Sequence, residues 1–356
     1  MKLLKTAAFT LLTSVSGLAF ASCESNVDNI ETFYVNGMFT DYTAFLKNEN
    51  ALDRFIQENL GDQGFDNPVK GVHNDSEFVL TQALQVLRQK VEDGEAADAI
   101  FEFINGDDGY LDSLTDMSQI QDFLTDIDDY YELAEDDIDQ QSVNSEIRLL
   151  LDTCSRVIVI THSQGNFYGN RALSSLFSSY SFPNGYPLSA YPMLGSLQIA
   201  SPATIPGGAI ASIYPQIIGH ITNDNDLIMG LVRNTMGSAD SNYSSELNPD
   251  DYSGHGLESS YLNRPGQGAE IASQLSSIAS SLVPYPMQGQ RGVSSSSIAG
   301  YGHSTMNSVL DIEFTDGSVY RYDGVSAGTA SGLSSGSAGG HFNSSIRGNY
   351  PYVQIE

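Results

Sequence analysis

The stretch Arg156-Val-Ile-Val-Ile-Thr-His-Ser-Gln-Gly-Asn166 is the most informative part of this 356-residue chain. After the arginine come four consecutive β-branched residues, a run typical of a strand buried on both faces of a parallel sheet. Gly165 is small enough to permit a sharp turn directly after the strand, and a helix is expected from Asn166 onward. Such a strand–turn–helix exposes the hydroxyl group of Ser163. The stretch therefore predicts a serine nucleophile at the carboxyl end of a buried strand.

Further strand and helix candidates alternate around this stretch. The apolar segments 31–35, 197–200 and 217–222 are expected to be strands, and residues 76–91 and 269–282 have helical periodicity. Alternation of this kind predicts an α/β fold with a mostly parallel sheet. We expect this domain to span residues 22–283.

The residue pattern changes after residue 283. Residues 284–292 carry two prolines and two glycines and are expected to be a linker. Beyond it, residues 310–314 alternate apolar and polar side chains, Asp316-Gly317 marks a tight turn, and residues 319–322 resume the strand pattern. This predicts a hairpin in a small β-rich domain over residues 293–356. The Gly- and Ser-rich run 326–340 is expected to be a loop or a poorly packed connection.

A serine nucleophile requires a base, and His255 is the best candidate among the histidines that follow Ser163. It lies on a glycine-flanked loop, Ser253-Gly-His-Gly256, ahead of a helix-like segment. The base in turn requires an orienting carboxylate. Asp224 and Asp226 are both candidates, and Asp226 is preferred because the apolar pair that follows it would anchor it against the core.

The tetrahedral intermediate of acyl transfer needs two amide donors. One is expected to be the backbone N–H of Gln164. The other is expected from the loop after the early strand, where Asn36-Gly37 allows a close approach of the backbone and Met38 supplies the N–H. Ser163, Asp226 and His255, with Met38 and Gln164 as oxyanion donors, form the candidate site.

These motifs resemble those of lipase-like α/β-hydrolases, in the same order along the chain. The matching segments are Phe33-Tyr-Val-Asn-Gly-Met-Phe39, Thr161-His-Ser-Gln-Gly-Asn166, Asn223-Asp-Asn-Asp226 and Gly254-His-Gly-Leu257. Thr161 departs from the usual G-x-S-x-G pattern, which has glycine at that position. The resemblance implies the α/β-hydrolase fold and the same triad, but it does not identify the substrate.

Residues 293–352 resemble a second family, the small KTSC domain. The matching positions are Ser296-Ser-Ile298, Tyr301, Leu310-Asp-Ile-Glu-Phe314, Gly317, Tyr320-Arg-Tyr322, Val325, His341-Phe-Asn-Ser-Ser-Ile-Arg347 and Tyr350. The Gly- and Ser-rich loop inside this segment is longer than expected for the family. The resemblance implies no activity.

Three functional classes follow from the site. The first is hydrolysis of a small-molecule or lipid ester by a lipase- or esterase-like serine hydrolase, through an acyl-enzyme at Ser163. The second is acyl transfer by the same triad, and the third is a non-catalytic binding protein on a hydrolase scaffold. No cofactor is expected, and the cysteines and histidines have no metal-ligand spacing.

The formal charge of −29 disfavours nucleic acid and anionic membranes as partners. Many of the acidic residues fall in a segment of about residues 70–145 that also has apolar periodicity. We expect it to be a helical insertion and a candidate lid over the site.

The N-terminal residues 1–21 have the layout of a secretory signal peptide, with Lys2 and Lys5, an apolar run and small residues before the cleavage point. No transmembrane segment is expected elsewhere, so the chain is predicted to be exported, to the periplasm or outside the cell. Cys23 and Cys154 are its only cysteines, and they are predicted to form a disulfide. The weaker alternative is a lipid anchor on Cys23.

Overall fold

The computed structural model describes residues 24–36, 42–73, 138–226, 229–230, 233, 238–246, 248–251 and 253–356. These residues belong to two compact units. One is Asn29–Tyr285, and the other joins Pro286–Glu356 to the N-terminal residues that end at Asp28. The predicted signal peptide, residues 1–21, lies outside the described residues.

The larger unit is built on a parallel sheet. Its strands are β1 (Ile30–Val35), β2 (Lys70–Val72), β3 (Arg156–His162), β4 (Leu194–Ile199) and β5 (Ile218–Ile221). They lie in the order β2-β1-β3-β4-β5, and every neighbouring pair is parallel. All seven residues of β3 are buried, as expected for a central strand covered on both faces. The predicted α/β class and parallel sheet are confirmed.

Helices follow these strands along the chain. They are α1 (Tyr42–Leu60), α2 (Ile138–Asp152), α3 (Gly165–Ser179), α4 (Gly208–Ile213) and α5 (Pro265–Ser281). The buried residues of α1 recur at helical spacing, among them Phe45, Leu52, Phe55 and Ile56.

The side chain of Arg156 caps the C-terminal end of α5. It is fully buried at the start of β3, and its guanidinium donates to the carbonyls of Ala279 (3.2 Å) and Leu282. A cation at a helix C-terminus satisfies carbonyls that have no intrahelical partner. This arginine therefore fixes the last helix of the unit to the central strand.

The acidic segment predicted over residues 70–145 is described only at its two ends. Residues 74–137, which include the predicted helix over 76–91, lie outside the described residues. At the start of the segment, Lys70–Val72 is strand β2 and pairs with β1, so these residues belong to the sheet and not to an insertion. At its end, Ile138–Asp152 is helix α2.

The smaller unit is an antiparallel sheet. Its strands β6 (Arg291–Gly292), β7 (Ile298–Ser304), β8 (Val309–Phe314), β9 (Val319–Asp323) and β10 (Tyr352–Gln354) lie in the order β10-β9-β8-β7-β6. The predicted hairpin is confirmed as the pair of β8 and β9. The Gly- and Ser-rich run is not the predicted loop throughout. It contains α6 (Ala327–Ser331) and α7 (Ala338–His341), because the hydroxyl oxygens of Ser326 and Ser337 accept hydrogen bonds at their N-termini.

Residues predicted as a linker are also folded into this unit. Gln288–Gln290 forms a 3₁₀ turn, β6 pairs with β7, and the backbone N–H of Met287 donates to the carboxylate of Asp311 at 2.9 Å. The N-terminal residues contribute as well. The Asp28 carboxylate accepts hydrogen bonds from the Ser304 hydroxyl (2.5 Å) and the Thr305 N–H (2.7 Å). Among the described residues, no helix has both the length and the apolarity to cross a membrane.

Candidate functional site

Ser163 occupies a strained turn between β3 and α3. Its φ angle is 52°, in the left-handed region that a side chain other than glycine rarely adopts. The turn runs against the end of β1, where a Cβ atom on Gly165 would lie 2.5 Å from the carbonyl oxygen of Val35. Glycine is therefore required two residues after the serine, as the sequence predicted.

Asn166 holds this turn in place. Its Oδ1 accepts a hydrogen bond from the Thr161 hydroxyl (2.6 Å), and its Nδ2 donates to the carbonyls of Ser163 (2.6 Å) and Ile199 (3.1 Å). Asn166 is fully buried, so each of these bonds replaces one that water would otherwise make. The sequence predicted only that a helix starts at Asn166. Thr161, where the usual pattern has glycine, is one of its three partners.

The structure brings Ser163, His255 and Asp226 into one hydrogen-bonded series. The Nε2 atom of His255 lies 3.0 Å from Ser163 Oγ, and its Nδ1 atom lies 2.9 and 3.1 Å from the two carboxylate oxygens of Asp226. Because a carboxylate only accepts, Nδ1 carries the proton and Nε2 is free to accept from the serine. Asp226 is 1% exposed, and Ser163 is 2% exposed, so the serine is buried and not exposed as the sequence predicted.

The two candidate carboxylates have different surroundings. The carboxylate of Asp226 accepts hydrogen bonds from the Met229 N–H (2.9 Å) and the Tyr261 hydroxyl (2.8 Å) in addition to His255. Asp224 is exposed and accepts instead from the backbone of Ser245, which lowers the pKa of its carboxyl group. The structure therefore brings Asp226 to the imidazole and leaves Asp224 away from it.

The surroundings of His255 favour its protonated form. Burial lowers the pKa of the imidazole, but the negative charge and the hydrogen bond of Asp226 outweigh burial, so the pKa is raised above its ordinary value of 6.5. Burial raises the pKa of Tyr261 well above its usual range, so this phenol stays protonated as a donor to Asp226.

His162 is a second buried imidazole that the sequence did not single out. Burial, helped by the neighbouring His255, lowers the pKa of His162 to about 3, so the ring is neutral at ordinary pH. Its Nε2 lies 2.8 Å from the carbonyl oxygen of His255 and must donate to it, and the two rings are 4.8 Å apart. His162 thus supports the backbone of the residue that faces Ser163. In the sequence, only its position immediately before Ser163 indicated that His162 would lie near the site.

A glycine holds the loop of His255 against the loop of Asp226. Gly254 has φ 68°, and a Cβ atom there would lie 2.4 Å from the carbonyl oxygen of Asn225. The two loops can approach this closely only where no side chain intervenes. The glycine that marked this loop in the sequence is therefore part of the geometry of the site.

One of the two predicted oxyanion donors is described. The N–H of Gln164 lies at the start of α3, and within the described part of the chain it donates to no acceptor. A free N–H at a helix N-terminus is suited to binding developing negative charge. Met38, the other predicted donor, lies outside the described residues.

Two other sequence predictions concern cysteines and metals. Cys154 is disulfide-bonded, but Cys23 lies outside the described residues, so the pairing of the two stays a prediction, as does its lipid-anchor alternative. In the described part of the chain, no group of three or more His, Cys, Asp or Glu side chains is arranged to hold a metal ion.

Comparison with known proteins identifies one part of the chain. The model of the KTSC domain family matches residues 294–350. A KTSC domain protein from Yersinia pestis, known from a crystal structure, is 31% identical over 18% of this chain and 94% of its own, with a TM-score of 0.18. Residues 294–350 are a KTSC domain. No curated protein matches the chain.

The KTSC domain carries a buried ion pair of its own. The guanidinium of Arg321 donates to both carboxylate oxygens of Asp311, each at 2.8 Å, and both side chains are buried. Together with the N–H of Met287, these bonds satisfy the carboxylate. This pair joins the neighbouring strands β8 and β9. The triad lies entirely in the other unit, Asn29–Tyr285.

Proposed function

We propose that the unit Asn29–Tyr285 is a serine hydrolase with the α/β-hydrolase fold, and that it cleaves carboxylic esters through an acyl-enzyme on Ser163. The observation that carries this proposal is the series Ser163 Oγ–His255 Nε2–His255 Nδ1–Asp226, with distances of 3.0 and 2.9 Å. Position on a strained turn between a central strand and a helix gives Ser163 the backbone expected of a nucleophile.

The chemistry follows from the positions of the protons. His255 Nε2 takes the proton of Ser163 as Oγ attacks the ester carbonyl, and Asp226 stabilises the imidazolium that forms. The N–H of Gln164 stabilises the oxyanion. Collapse of the tetrahedral intermediate breaks the bond to the alcohol, which leaves with the proton from Nε2. Water then attacks the acyl-enzyme with His255 again as the base, and the acid and free Ser163 are released.

The substrate class is a small-molecule or lipid ester. Activated esters of increasing acyl length, such as p-nitrophenyl acetate to palmitate, are the appropriate first substrates. We further propose that the enzyme is exported, on the basis of the N-terminal residues 1–21. The excess of acidic residues disfavours anionic surfaces as sites of action.

A fluorophosphonate probe tests the nucleophile directly. The wild-type protein should be labelled on Ser163, and Ser163→Ala should abolish both labelling and esterase activity while the circular dichroism spectrum is retained. Ser178→Ala is the matched control, because Ser178 is an exposed serine on the same helix α3. Absence of labelling in the wild-type protein, or labelling that persists in Ser163→Ala, would refute the proposal. Adding an acceptor alcohol to the assay separates transfer from hydrolysis.

A further inference from the structure

The carboxylate of Asp251 is the centre of a hydrogen-bond cluster next to the triad. Its Oδ1 accepts from the hydroxyl of Ser253 (2.6 Å). Its Oδ2 accepts from the N–H of Gly256 (2.8 Å) and from the hydroxyls of Ser259 (2.7 Å) and Ser260 (2.6 Å). Four donors converge on one half-buried side chain, which the sequence analysis did not single out.

These donors lie on both sides of His255 in the chain. Ser253 precedes His255, and its Oγ also accepts the N–H of His255 at 3.2 Å. Gly256 follows His255 directly, and Ser259 and Ser260 belong to the π-helical turn Leu257–Leu262. Asp251 therefore ties the loop before the imidazole to the helical turn after it. A loop held at both ends of one residue has little freedom to move that residue.

The carboxylate of Asp251 carries its charge at every ordinary pH. Burial raises the pKa of Asp251, but the bonds from Ser253, Ser260 and Ser259 outweigh burial and lower it to about 2. The negative charge also favours the protonated form of the nearby His255, in the same direction as Asp226.

We propose that Asp251 is a positioning residue of the active site: its carboxylate fixes the loop that carries His255 and adds a second negative charge beside the catalytic imidazole. This inference rests on the proposed function for the role of His255, and it names a residue that acts through His255 without touching the substrate.

Other charged and titratable groups near the imidazole have separate roles. Asp226 binds Nδ1, Tyr261 donates to Asp226, and the neutral His162 donates to the His255 carbonyl. Glu258, on the same helical turn as the serines, is paired with Lys47 (3.1 Å) and Arg54 (3.2 Å). Asp251 is thus the second carboxylate whose charge acts on His255 without being neutralised by a lysine or arginine in the described part of the chain.

Three variants of the full chain test the proposal. Asp251→Ala removes all four acceptor contacts. Asp251→Asn removes the charge but retains one acceptor oxygen, and its amide group can donate to a rotated Ser253 hydroxyl. Asp250→Asn is the matched control, because it removes one negative charge from the adjacent, exposed residue, whose side chain has no partner among the described residues. The first readout is the rate of fluorophosphonate labelling of Ser163, and the second is the pKa of the His255 imidazole measured by NMR.

We expect Asp251→Ala to slow labelling by about 10- to 100-fold, the loss that a small misplacement of a catalytic group causes. Asp251→Asn should lower the pKa of His255, and Asp250→Asn should change neither readout. Labelling by Asp251→Ala at the rate of Asp250→Asn would overturn the positioning role. An unchanged pKa of His255 in Asp251→Asn would overturn the electrostatic role.

One further variant, Ser253→Ala, keeps the positioning role testable. If Asp251→Ala does not fold, Ser253→Ala removes the link between Asp251 and the N–H of His255, and a labelling rate equal to that of the wild-type protein would then overturn the positioning role. If the wild-type protein is not labelled at all, the proposed hydrolase function fails. The pKa of His255 in Asp251→Asn still decides the electrostatic role in that case, because it requires no activity.

Discussion

Asp226 in the parallel-sheet unit and Asp311 in the KTSC domain both have almost completely buried carboxylates. The two carboxylates accept hydrogen bonds from different kinds of partner. Asp311 meets the permanently charged guanidinium of Arg321 through two parallel hydrogen bonds. Asp226 meets a hydroxyl, a backbone N–H and the imidazole of His255, which continues to Ser163. A buried carboxylate paired with arginine contributes to structure, whereas one that orients a histidine beside a serine hydroxyl can support proton transfer from the serine to the histidine.

The part of the chain that matches a known family is not the part that contains the triad. The KTSC domain matches a family model, and its buried Asp311 and Arg321 are paired with each other. The match to the family model covers residues 294–350 and not the triad, whose chemistry is inferred from its geometry. Belonging to the KTSC family therefore does not inform the proposed reaction.

Of the two carboxylates, Asp226 is expected to have the larger effect on activity. Asp226→Asn should lower kcat for ester hydrolysis by about 10³- to 10⁴-fold, because an amide no longer holds the tautomer of His255 that accepts from Ser163. Asp224→Asn, the control two residues earlier, should have little effect because that side chain is exposed and bonded to Ser245. Steady-state kinetics with a soluble p-nitrophenyl ester measure both. A larger loss in Asp224→Asn would assign the acid to the other aspartate.

At Asp311 the effect should fall on stability and not on activity. Asp311→Ala removes the carboxylate that accepts two hydrogen bonds from the buried guanidinium of Arg321, so it should lower the free energy of unfolding of the KTSC domain by about 3–5 kcal/mol. Urea denaturation followed by circular dichroism measures the loss. Under native conditions the rate of Ser163 labelling should be unchanged. Replacing both partners with apolar residues, Asp311→Leu with Arg321→Met, should recover most of the stability.

The pH dependence of the reaction should reflect His255. Because the base must be neutral, kcat/KM should rise with pH as the imidazole loses its proton, and the raised pKa places this rise above pH 6.5. Asp226→Asn removes the negative charge that raises the pKa and should shift the residual activity profile to lower pH. A profile whose acid limb lies below pH 6.5 in the wild-type protein would contradict this assignment.

The smallest effect is expected at Glu24, in the N-terminal residues that belong to the smaller unit. Burial raises the pKa of this carboxyl to about 7, despite a hydrogen bond from Gly289 that lowers it. Its contribution to stability is therefore complete below pH 4.5 and is lost as the pH rises through about 7. Glu24→Gln should raise the melting temperature at pH 8 and leave it unchanged at pH 4. An equal change at both pH values would show that the charge is not responsible.

Local patterns predicted much of this molecule because the interactions concerned are local. The buried strand at Val157–Ile160 and the hairpin of β8 and β9 follow from side-chain periodicity, which reports burial directly. The residues of the triad follow from the chemical needs of a serine nucleophile, and the structure places Ser163, Asp226 and His255 within hydrogen-bond distance. Their catalytic role stays a prediction until it is measured.

Other features depend on contacts between residues far apart in the chain. Arg156 looks like the polar start of a strand, and only the folded chain places the end of α5 beside it, 123 residues away. Asp251 is one of many aspartates in an acidic chain. Only the folded structure shows that the hydroxyls of three serines donate hydrogen bonds to its carboxylate. Strand β6 lies within the residues predicted to be a linker. It was not predicted because a strand of two residues is too short to show side-chain periodicity.

The inclusion of residues 24–28 in the smaller unit has a consequence for the order of folding. Asp28 is synthesised early, whereas its hydrogen-bond partner Ser304 is 276 residues further along the chain. At ribosomal rates of roughly 5–20 residues per second, this partner follows roughly 14 to 55 seconds later. All of Asn29–Tyr285 is synthesised within that interval. The bond between Asp28 and Ser304 can therefore form only after the whole of the parallel-sheet unit has been synthesised.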